Sequence, residues 1–271
     1  MNIPNSKYKA ITKKPGKSFV YAINDWYGKS TQGNSGKINL GKTLKQHAKY
    51  TNMLKDLGVE VKVLSADESY PDGCFTQDPM LVYKNSALKL KQFAKTRQGE
   101  GNSLAKEVKN GGIKVNKMKN DFCDGGDVLV VDELKTVWCG TSERTNIAGF
   151  KEIKKFYTKF KFEVIPVPVI NCLHLMTAIT YLGKNHFLVS SLLDENLWKL
   201  FKVNANVKFV KVPEEENYAV NIININNTII MPKGYPKTKK LIKKSAFEIK
   251  ELEMSEFEKA DGGITCLSLL F

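Results

Sequence analysis

Short apolar strands and amphipathic helices alternate along this 271-residue chain from end to end. Apolar residues recur at helical spacing between Leu40 and Leu57, and Gly58 separates this helix from a predicted strand over residues 59–64. About five rounds of strand, strand, helix and strand follow one another. Each round is too small to bury its own apolar face, so the repeats are expected to pack around a common axis. The sequence therefore predicts an α/β fold built from pseudo-repeated strand-strand-helix-strand units.

The individual elements are predicted from the same periodicities and from the turn residues between them. Strands are expected at residues 17–22, 59–64, 79–83, 88–93, 113–118, 128–131, 136–139, 162–166, 177–181, 186–189, 207–212, 247–252 and 264–270. Helices are expected at residues 40–57, 102–109, 145–159, 194–201 and 237–244, with a hairpin over 222–231. No linker rich in proline, glycine or serine interrupts the series, which predicts a single domain over residues 1–271.

The composition argues against several classes of protein. A formal charge of +14 could indicate a polyanionic partner, but the lysines are spread out, and the densest run, residues 237–244, fits the solvated face of a helix. No nucleic-acid-binding motif accompanies it, so no nucleic-acid partner is predicted. The N-terminus has no apolar signal segment and no stretch could span a bilayer, so no membrane association is predicted. The five cysteines form no CxxC pair, which predicts a reducing, cytoplasmic location.

Polar turns fall at equivalent strand junctions of the predicted repeats. They cover residues 71–78, 121–127, 140–146, 171–177 and 261–266. Because the repeats share an axis, these turns are expected to converge at one end of it. The side chains singled out in these turns are a thiol, an imidazole, several carboxylates and a guanidinium, contributed by Cys266, His174, Asp72, Asp78, Asp124, Asp127 and Arg144. This set of groups indicates nucleophilic catalysis on a cationic substrate that also carries a carboxylate.

Each of these residues also has a purely structural explanation. Cys266 is followed by an apolar stretch predicted to form a buried strand, and free cysteine is often a core residue. His174 between two leucines fits a hydrogen-bonded core histidine, and Asp124-Gly-Gly-Asp127 fits an ordinary turn. Arg144 could cap a helix or pair with a surface acid. Their joint occurrence at the junctions favours a site.

Several segments together resemble the dimethylarginine dimethylaminohydrolases (dimethylargininases) of the guanidino-modifying, or pentein, superfamily. The resemblance extends over essentially the whole chain and rests on residues 14–16, 70–79, 96–100, 124–129, 140–146, 173–175, 231–236, 255–257 and 261–268. The fold that it implies is a five-bladed α/β propeller. This fold agrees with the repeats counted from the sequence.

The resemblance implies a covalent mechanism. Cys266 is expected to be the nucleophile and His174 the general acid and base, with Asp124 orienting His174. A thiolate would attack the guanidinium carbon, and an S-alkylthiouronium intermediate would then be hydrolysed to citrulline. No cofactor and no metal are required, although zinc trapped by Cys266 and His174 would inhibit.

The same resemblance implies a binding site for a small-molecule guanidino amino acid. Asp78 would bind the guanidinium with support from Asp72 and Asp127, and Arg97 and Arg144 would hold the carboxylate. Four further positions are included in the predicted substrate site, namely Phe75, Gln77, Ile23 in a lid over residues 17–33, and Asp261, which contacts the amino group or holds the cysteine turn. A homodimer is left open.

Three positions depart from the family pattern. Gln77 stands where many relatives have an acid, and Asp124 replaces a glutamate of some relatives. Met176 stands where arginine deiminases carry an aspartate, which leaves an apolar surface suited to an N-methyl group. The favoured function is therefore hydrolysis of Nω-methylated arginine to citrulline and an amine. The alternatives are an arginine deiminase, a citrulline (ureido) hydrolase, an amidinotransferase and a non-catalytic basic binding protein.

Overall fold

Strands and helices alternate throughout the computed structural model, which describes residues 8–24, 36–119 and 121–271. The strands are β1 (Lys9–Lys13), β2 (Glu60–Leu64), β3 (Met80–Tyr83), β4 (Ser86–Lys89), β5 (Lys114–Lys117), β6 (Val128–Val131), β7 (Thr136–Thr141), β8 (Glu163–Pro168), β9 (Ile179–Gly183), β10 (His186–Val189), β11 (Lys208–Lys211), β12 (Ile223–Ile225), β13 (Thr228–Pro232), β14 (Glu248–Leu252) and β15 (Leu269–Leu270). The α-helices are α1 (Leu40–Asp56), α2 (Gly101–Asn110), α3 (Ile147–Thr158), α4 (Leu175–Ala178), α5 (Pro236–Lys243) and α6 (Ser255–Glu258).

The described strands form five three-stranded sheets. Their strand orders are β15-β1-β2, β3-β4-β5, β6-β7-β8, β11-β10-β9 and β12-β13-β14. In four of them the middle strand is antiparallel to one neighbour and parallel to the other. A parallel pair needs a crossover connection, and the helices predicted between the strands supply it. The repeated unit predicted from the sequence is therefore confirmed.

The contacts divide the chain into two compact units, and the single domain expected over residues 1–271 stays a prediction. The first unit, Gly126–Glu251, contains three sheets and a core in which Leu182, Leu188 and Ile222 are buried. Its last hairpin turns at Asn226 and Asn227, both in the left-handed region, as a two-residue hairpin loop requires. The hairpin predicted over residues 222–231 is confirmed.

The second unit combines the described residues of 8–125 with Leu252–Phe271 and contains two sheets. Its core includes Ile11, Met80 and Leu104, and β15 at the end of the chain lies antiparallel to β1. The segment that carries Cys266 therefore leads directly into an edge strand of this sheet. No helix among the described residues combines the length and the apolar character that crossing a bilayer demands.

The strand predicted at residues 17–22 is wrong. These residues form a 3₁₀-helix, Lys17–Tyr21, and the first strand is β1. The carboxylate of Glu68 accepts the backbone N–H groups of Lys17 and Ser18 at 2.9 and 2.8 Å, which satisfies the start of a helical turn. A residue about fifty positions away therefore decides the local structure, and periodicity within the segment cannot reveal it.

The predicted terminal strand over residues 264–270 is also largely wrong. Residues Thr265–Leu267 form one turn of 3₁₀-helix, and only the two residues of β15 pair with a neighbour. Two other segments are shifted or tighter than predicted: the strand at 88–93 lies at β4, and the helix at 194–201 is a 3₁₀-helix, Glu195–Phe201. These departures fall where short apolar runs fit more than one local structure.

Burial of His47 in α1 makes the stability of the protein depend on pH. The side chain is 3% exposed. Burial, and then the positive charge of Lys14, lower the pKa of His47 to about 4, although a hydrogen bond with the Lys13 backbone opposes this. An unfolded histidine titrates near about 6.5, so the unfolded chain binds a proton that the folded chain refuses. This part of the stability is complete above about pH 6.5 and is lost as the pH falls towards about 4.

We therefore predict that His47→Gln flattens the acid side of the stability profile. In the unsubstituted protein, the free energy of unfolding falls by about 3 kcal/mol as the pH decreases from about 6.5 to about 4, because His47 takes up a proton in the unfolded chain. Urea unfolding at a series of pH values measures this slope. His186→Gln, at a partly exposed histidine of β10, is the matched control. An unchanged slope in His47→Gln would contradict the assignment.

Candidate active site

Cys266 lies in the second unit, on the 3₁₀ turn Thr265–Leu267. It is partly exposed, whereas the other four cysteines of the chain, all free, are buried. Its sulfur accepts the backbone N–H of Gly263 at 3.4 Å, and the hydroxyl of Thr265 lies 4.0 Å away. Cys266 is therefore the cysteine of the chain with the greatest solvent exposure.

The turn before Cys266 is fixed by a cluster of aromatic rings. Phe75 packs against Phe19 and Phe257, with ring centroids 5.9 and 6.4 Å apart. A Cβ at Gly262 would lie 2.3 Å from the Phe75 ring, so only glycine allows this approach. The left-handed residue of the turn is Asp261, with φ 55°, rather than either glycine. Phe75 and Asp261 therefore support the cysteine turn.

The Cys266 thiol is protonated in the ligand-free protein. Burial raises its pKa to about 12, and the negative charge of Asp78 adds to this effect. The Gly263 N–H, the Thr265 hydroxyl and the charge of Arg97 lower the pKa but do not reverse the shift. Activation of this thiol therefore requires either removal of a negative charge or addition of a positive one.

Arg97 forms buried ion pairs with two carboxylates, those of Asp78 and Glu100. The Nη1 group of Arg97 donates to the Oδ2 atom of Asp78 at 3.1 Å, and its Nη2 group donates to Glu100 at 3.0 Å. All three residues are at most 5% exposed. Burial alone would lower the pKa of Arg97, but the neighbouring carboxylates, first Glu100 and then Asp78, raise it well above its usual value. Arg97 therefore stays charged.

Asp72 and Gln77 flank this ion pair along the same loop. Asp72 is 3% exposed and accepts the backbone N–H of Ile23 at 3.1 Å. Gln77 donates its amide group to the carbonyl of Gly125 at 2.6 Å and its backbone N–H to the carbonyl of Cys266 at 3.2 Å. Both residues therefore connect the loop to neighbouring segments. Residues 25–33 of the predicted lid lie outside the described residues.

Asp124 is fully buried in the same unit. One of its oxygens accepts the backbone N–H of Phe93 at 3.3 Å, and its charge helps to raise the pKa of Arg97. His174 belongs to the other unit, and the expected pairing of Asp124 with His174 stays a prediction. Asp124 thus adds a carboxylate to the charged cluster around Arg97.

His174 and Asp127 lie together in the first unit. His174 directly precedes α4, is 7% exposed, and packs so closely on Gly126 that a Cβ there would lie 2.6 Å from Nδ1. Asp127 is fully buried and accepts the backbone N–H of Leu175 at 2.9 Å. Burial raises the pKa of Asp127, whereas a positive charge on His174 lowers it. The buried carboxylate therefore lies within electrostatic reach of His174 and fixes the backbone beside it.

Two hydroxyl groups complete the hydrogen bonding of Asp127. Ser142 and Thr145 donate to Oδ2 at 2.7 and 2.6 Å. The Ser142 oxygen in turn accepts the backbone N–H of Arg144 at 2.9 Å, and Arg144 is 9% exposed. The predicted residues Asp127, His174 and Arg144 are therefore brought together on adjoining turns of one unit.

The sequence analysis missed four residues that lie in the group around Arg97 or in the group around Asp127. Glu100, Ser142 and Thr145 lie inside segments that carried the family resemblance, but no role was assigned to them. Lys13 was not singled out, although its side chain is 1% exposed and donates to the carbonyl of Glu100 at 3.3 Å. The available signal was the presence of an acid three residues after Arg97. Within the described part of the chain, no group of three or more His, Cys, Asp or Glu side chains could hold a metal ion.

Comparison with known proteins gives a consistent result. The family model for N,N dimethylarginine dimethylhydrolase, eukaryotic, matches residues 18–269. N(G),N(G)-dimethylarginine dimethylaminohydrolase of Pseudomonas aeruginosa is 31% identical over 265 residues, with coverage of 96% of this chain and 98% of the relative.

Solved structures agree with the sequence comparison. A cysteine-to-serine mutant of DDAH from Pseudomonas aeruginosa, complexed with citrulline, is similar with a TM-score of 0.86, 30% identity and coverage of 97% and 98%. A histidine-to-glycine variant of dimethylarginine dimethylaminohydrolase, as an adduct with S-methyl-L-thiocitrulline, has a TM-score of 0.85 and 30% identity. The match covers 97% of this chain and 99% of that structure. Together with the five sheets, these similarities confirm the predicted fold class. The chain belongs to the dimethylarginine dimethylaminohydrolase family.

Proposed function

We propose that this protein hydrolyses Nω-methylated L-arginine to L-citrulline and methylamine or dimethylamine, with Cys266 as the nucleophile. The observation that carries the proposal is the position of Cys266, which is the one cysteine not buried and lies under the electrostatic influence of Asp78 and Arg97. Family membership supports the same substrate class. A cytoplasmic location is proposed with it, because all five cysteines are free.

Substrate binding activates the thiol in this proposal. The charge of Asp78 raises the Cys266 pKa in the ligand-free protein. A guanidinium bound against Asp78 neutralises that carboxylate and places a positive charge next to the sulfur, so the thiolate becomes favourable. The proton leaves the sulfur only when a cation is present. Ordinary thiol chemistry is thereby suppressed between turnovers.

The reaction then proceeds in two displacement steps. The proton released by Cys266 passes to His174. The Cys266 thiolate forms a C–S bond with the central guanidinium carbon, and His174 donates that proton to the departing methylated amine as the C–N bond breaks. A water molecule then transfers one proton to His174 and attacks the same carbon. The thiolate leaves and takes up the remaining hydroxyl proton, which restores the thiol and leaves the ureido oxygen of citrulline, and His174 releases its proton to the solvent. Asp127 assists because it accepts the backbone N–H of Leu175 and so fixes the backbone next to His174.

The amino-acid end of the substrate is assigned to cationic and backbone groups. Arg144 and Arg97 hold the carboxylate in the proposal, while Asp72, Ile23 and Asp261 serve the amino group. Gln77, an amide, contributes no charge to the guanidinium pocket, so the negative charge there comes from Asp78. Selection of a methylated guanidine over arginine is ascribed to Met176 on α4, where an aspartate would have bound the unmethylated edge.

The first prediction concerns turnover. Asymmetric dimethylarginine incubated with the protein releases citrulline and dimethylamine, whereas arginine and citrulline are turned over more slowly. Cys266→Ser lowers kcat on the order of 10³-fold or more because the nucleophile is lost. Citrulline, ornithine and amine assays measure the products, and intact-mass spectrometry detects the covalent adduct at Cys266.

Cys139→Ser, at a buried cysteine of β7, is the control for replacement of a thiol. Turnover of arginine with dimethylarginine inert would favour the deiminase instead. Full activity in Cys266→Ser would refute the assignment of the nucleophile.

The second prediction separates thiol ionisation from turnover. Asp78→Asn lowers the pKa of Cys266 in the ligand-free protein, because the carboxylate raises it. Labelling of Cys266 by iodoacetamide at a fixed mildly alkaline pH therefore becomes faster, while kcat/KM for dimethylarginine falls by at least about 30-fold. Cys266→Ser gives the labelling background, and Asp132→Asn, at a surface ion pair with Lys135, is the matched control. Slower labelling in Asp78→Asn would contradict the mechanism.

The third prediction concerns the space beside His174. Gly126→Ala places a Cβ within 2.6 Å of Nδ1, so the imidazole must shift. A displacement of about 1 Å costs on the order of 100-fold in rate, and kcat is expected to fall by this factor with little change in KM. Gly111→Ala, where a Cβ meets only ordinary contacts, is the control. An unchanged kcat in Gly126→Ala would argue against His174 as the proton donor.

A further inference from the structure

Glu100 binds one complete edge of the Arg97 guanidinium. The Nε group of Arg97 lies 3.1 and 3.2 Å from the two carboxylate oxygens, and Nη2 lies 3.0 Å from Oε2. The opposite Nη1 group donates to Asp78 at 3.1 Å. Glu100 therefore supplies the larger share of the direct contacts that hold Arg97.

The backbone around Glu100 leaves this carboxylate little freedom. Its N–H donates to the carbonyl of Arg97 at 3.2 Å, and its own carbonyl accepts the Lys13 ammonium at 3.3 Å. Gly99 has φ 124°, and a Cβ there would lie 2.1 Å from the hydroxyl of Tyr70. The loop conformation therefore requires glycine at this position, and Glu100 is held in place from both sides.

The charges of this cluster do not balance. Glu100, Asp78, Asp72 and Asp124 act on Arg97, so four carboxylates face one guanidinium, and Lys13 is the second cation nearby. Glu100 is buried and contacts Arg97 directly, so it neutralises that cation locally. The charge of Asp78 then remains available for another cation. Without Glu100, Asp78 would be the only carboxylate directly bonded to Arg97. Its negative charge would then act mainly on Arg97 and attract a bound cation less strongly.

We propose that Glu100 is a positioning and charge-balancing residue: it neutralises Arg97 so that Asp78 keeps its affinity for a cationic guanidinium ligand. This inference rests on the proposed function for the identity of that ligand. Glu100 acts through Arg97 and Asp78, and it determines how strongly the site prefers a guanidinium to a neutral ureido group of the same shape. A merely structural ion pair would affect both ligands equally.

The titration of Glu100 supports this role. Burial raises its pKa to about 7; Arg97 opposes the shift, and Asp72 and Asp78 add to it. Lys13 from β1 and the buried thiol of Cys74 also face this carboxylate. Protonation of Glu100 removes the same charge as Glu100→Gln does. The preference for a guanidinium ligand is therefore expected to weaken as the pH falls through about 7.

Ligand binding by calorimetry tests the inference without turnover. In a Cys266→Ser background, the affinities for asymmetric dimethylarginine and L-citrulline are compared, since both carry the same carboxylate and amino group. Adding Glu100→Gln is expected to weaken dimethylarginine binding by about tenfold or more and citrulline binding by less than about threefold. Glu100→Asp, which keeps the charge, is expected to restore most of the ratio. Glu107→Gln, on α2 and paired with Lys62 at the surface, is the matched control.

Equal weakening of both ligands in Glu100→Gln would overturn the inference and leave Glu100 as a structural residue. The pH series provides a second readout: the affinity ratio falls between about pH 8 and about pH 6 when Glu100 is present and stays constant in Glu100→Gln. A ratio that falls equally in both proteins would also overturn it. Thermal unfolding identifies any variant that fails to fold, and Glu100→Asp then carries the comparison.

A thiol measurement keeps the inference testable if the proposed function is wrong. Removal of the Glu100 charge leaves Arg97 less neutralised, and Arg97 lowers the pKa of Cys266. Iodoacetamide labelling of Cys266 in the ligand-free protein is therefore expected to be faster in Glu100→Gln than in Glu107→Gln. Absence of binding of either ligand refutes the proposed substrate class, and the labelling rates still decide the inference: equal rates overturn it.

Discussion

Arg97 is buried, and its guanidinium lies between the carboxylates of Asp78 and Glu100. The other charged groups near Cys266 depend on these two ion pairs. Burying three charges is costly, and the cost is offset only when each charge finds a partner with good geometry. Removing any one partner leaves an uncompensated charge in a water-poor interior. The loop conformation is therefore fixed by the positions that these partners must take, including the left-handed Gly99 against Tyr70.

In the proposed mechanism, the same electrostatics keep Cys266 inactive until a cation arrives. Burial and Asp78 raise the pKa of the Cys266 thiol to about 12, which favours the protonated form at neutral pH. Because the shift comes from burial and from Asp78, a ligand that covers the site without adding positive charge cannot reverse it. The proposed mechanism therefore selects a guanidinium at the chemical step as well as in binding, since a neutral ligand of the same shape leaves the sulfur protonated.

The sequence predicted the repeated sheets well because strand and helix periodicities are local properties. It failed where a distant side chain decides the backbone, as Glu68 does for the turn at Lys17–Tyr21. The candidate nucleophile was identified, but its setting was not: a glycine is needed at Gly262 for close approach to a phenyl ring, while the left-handed residue is Asp261. Glu100 was visible in a family segment, yet its role depends on buried partners that no spacing reveals.

The amide at Gln77 shows how a local departure from the family pattern can be accommodated. Its side-chain N–H donates to the carbonyl of Gly125, a bond that an ionised acid at this position could not form. The position therefore supports the loop instead of adding charge to the guanidinium pocket. In the proposed function, the pocket obtains its negative charge from Asp78, one of the carboxylates around Arg97. On this reasoning, the balance between Glu100 and Arg97 matters more in this chain than in relatives that carry an acid at the position of Gln77.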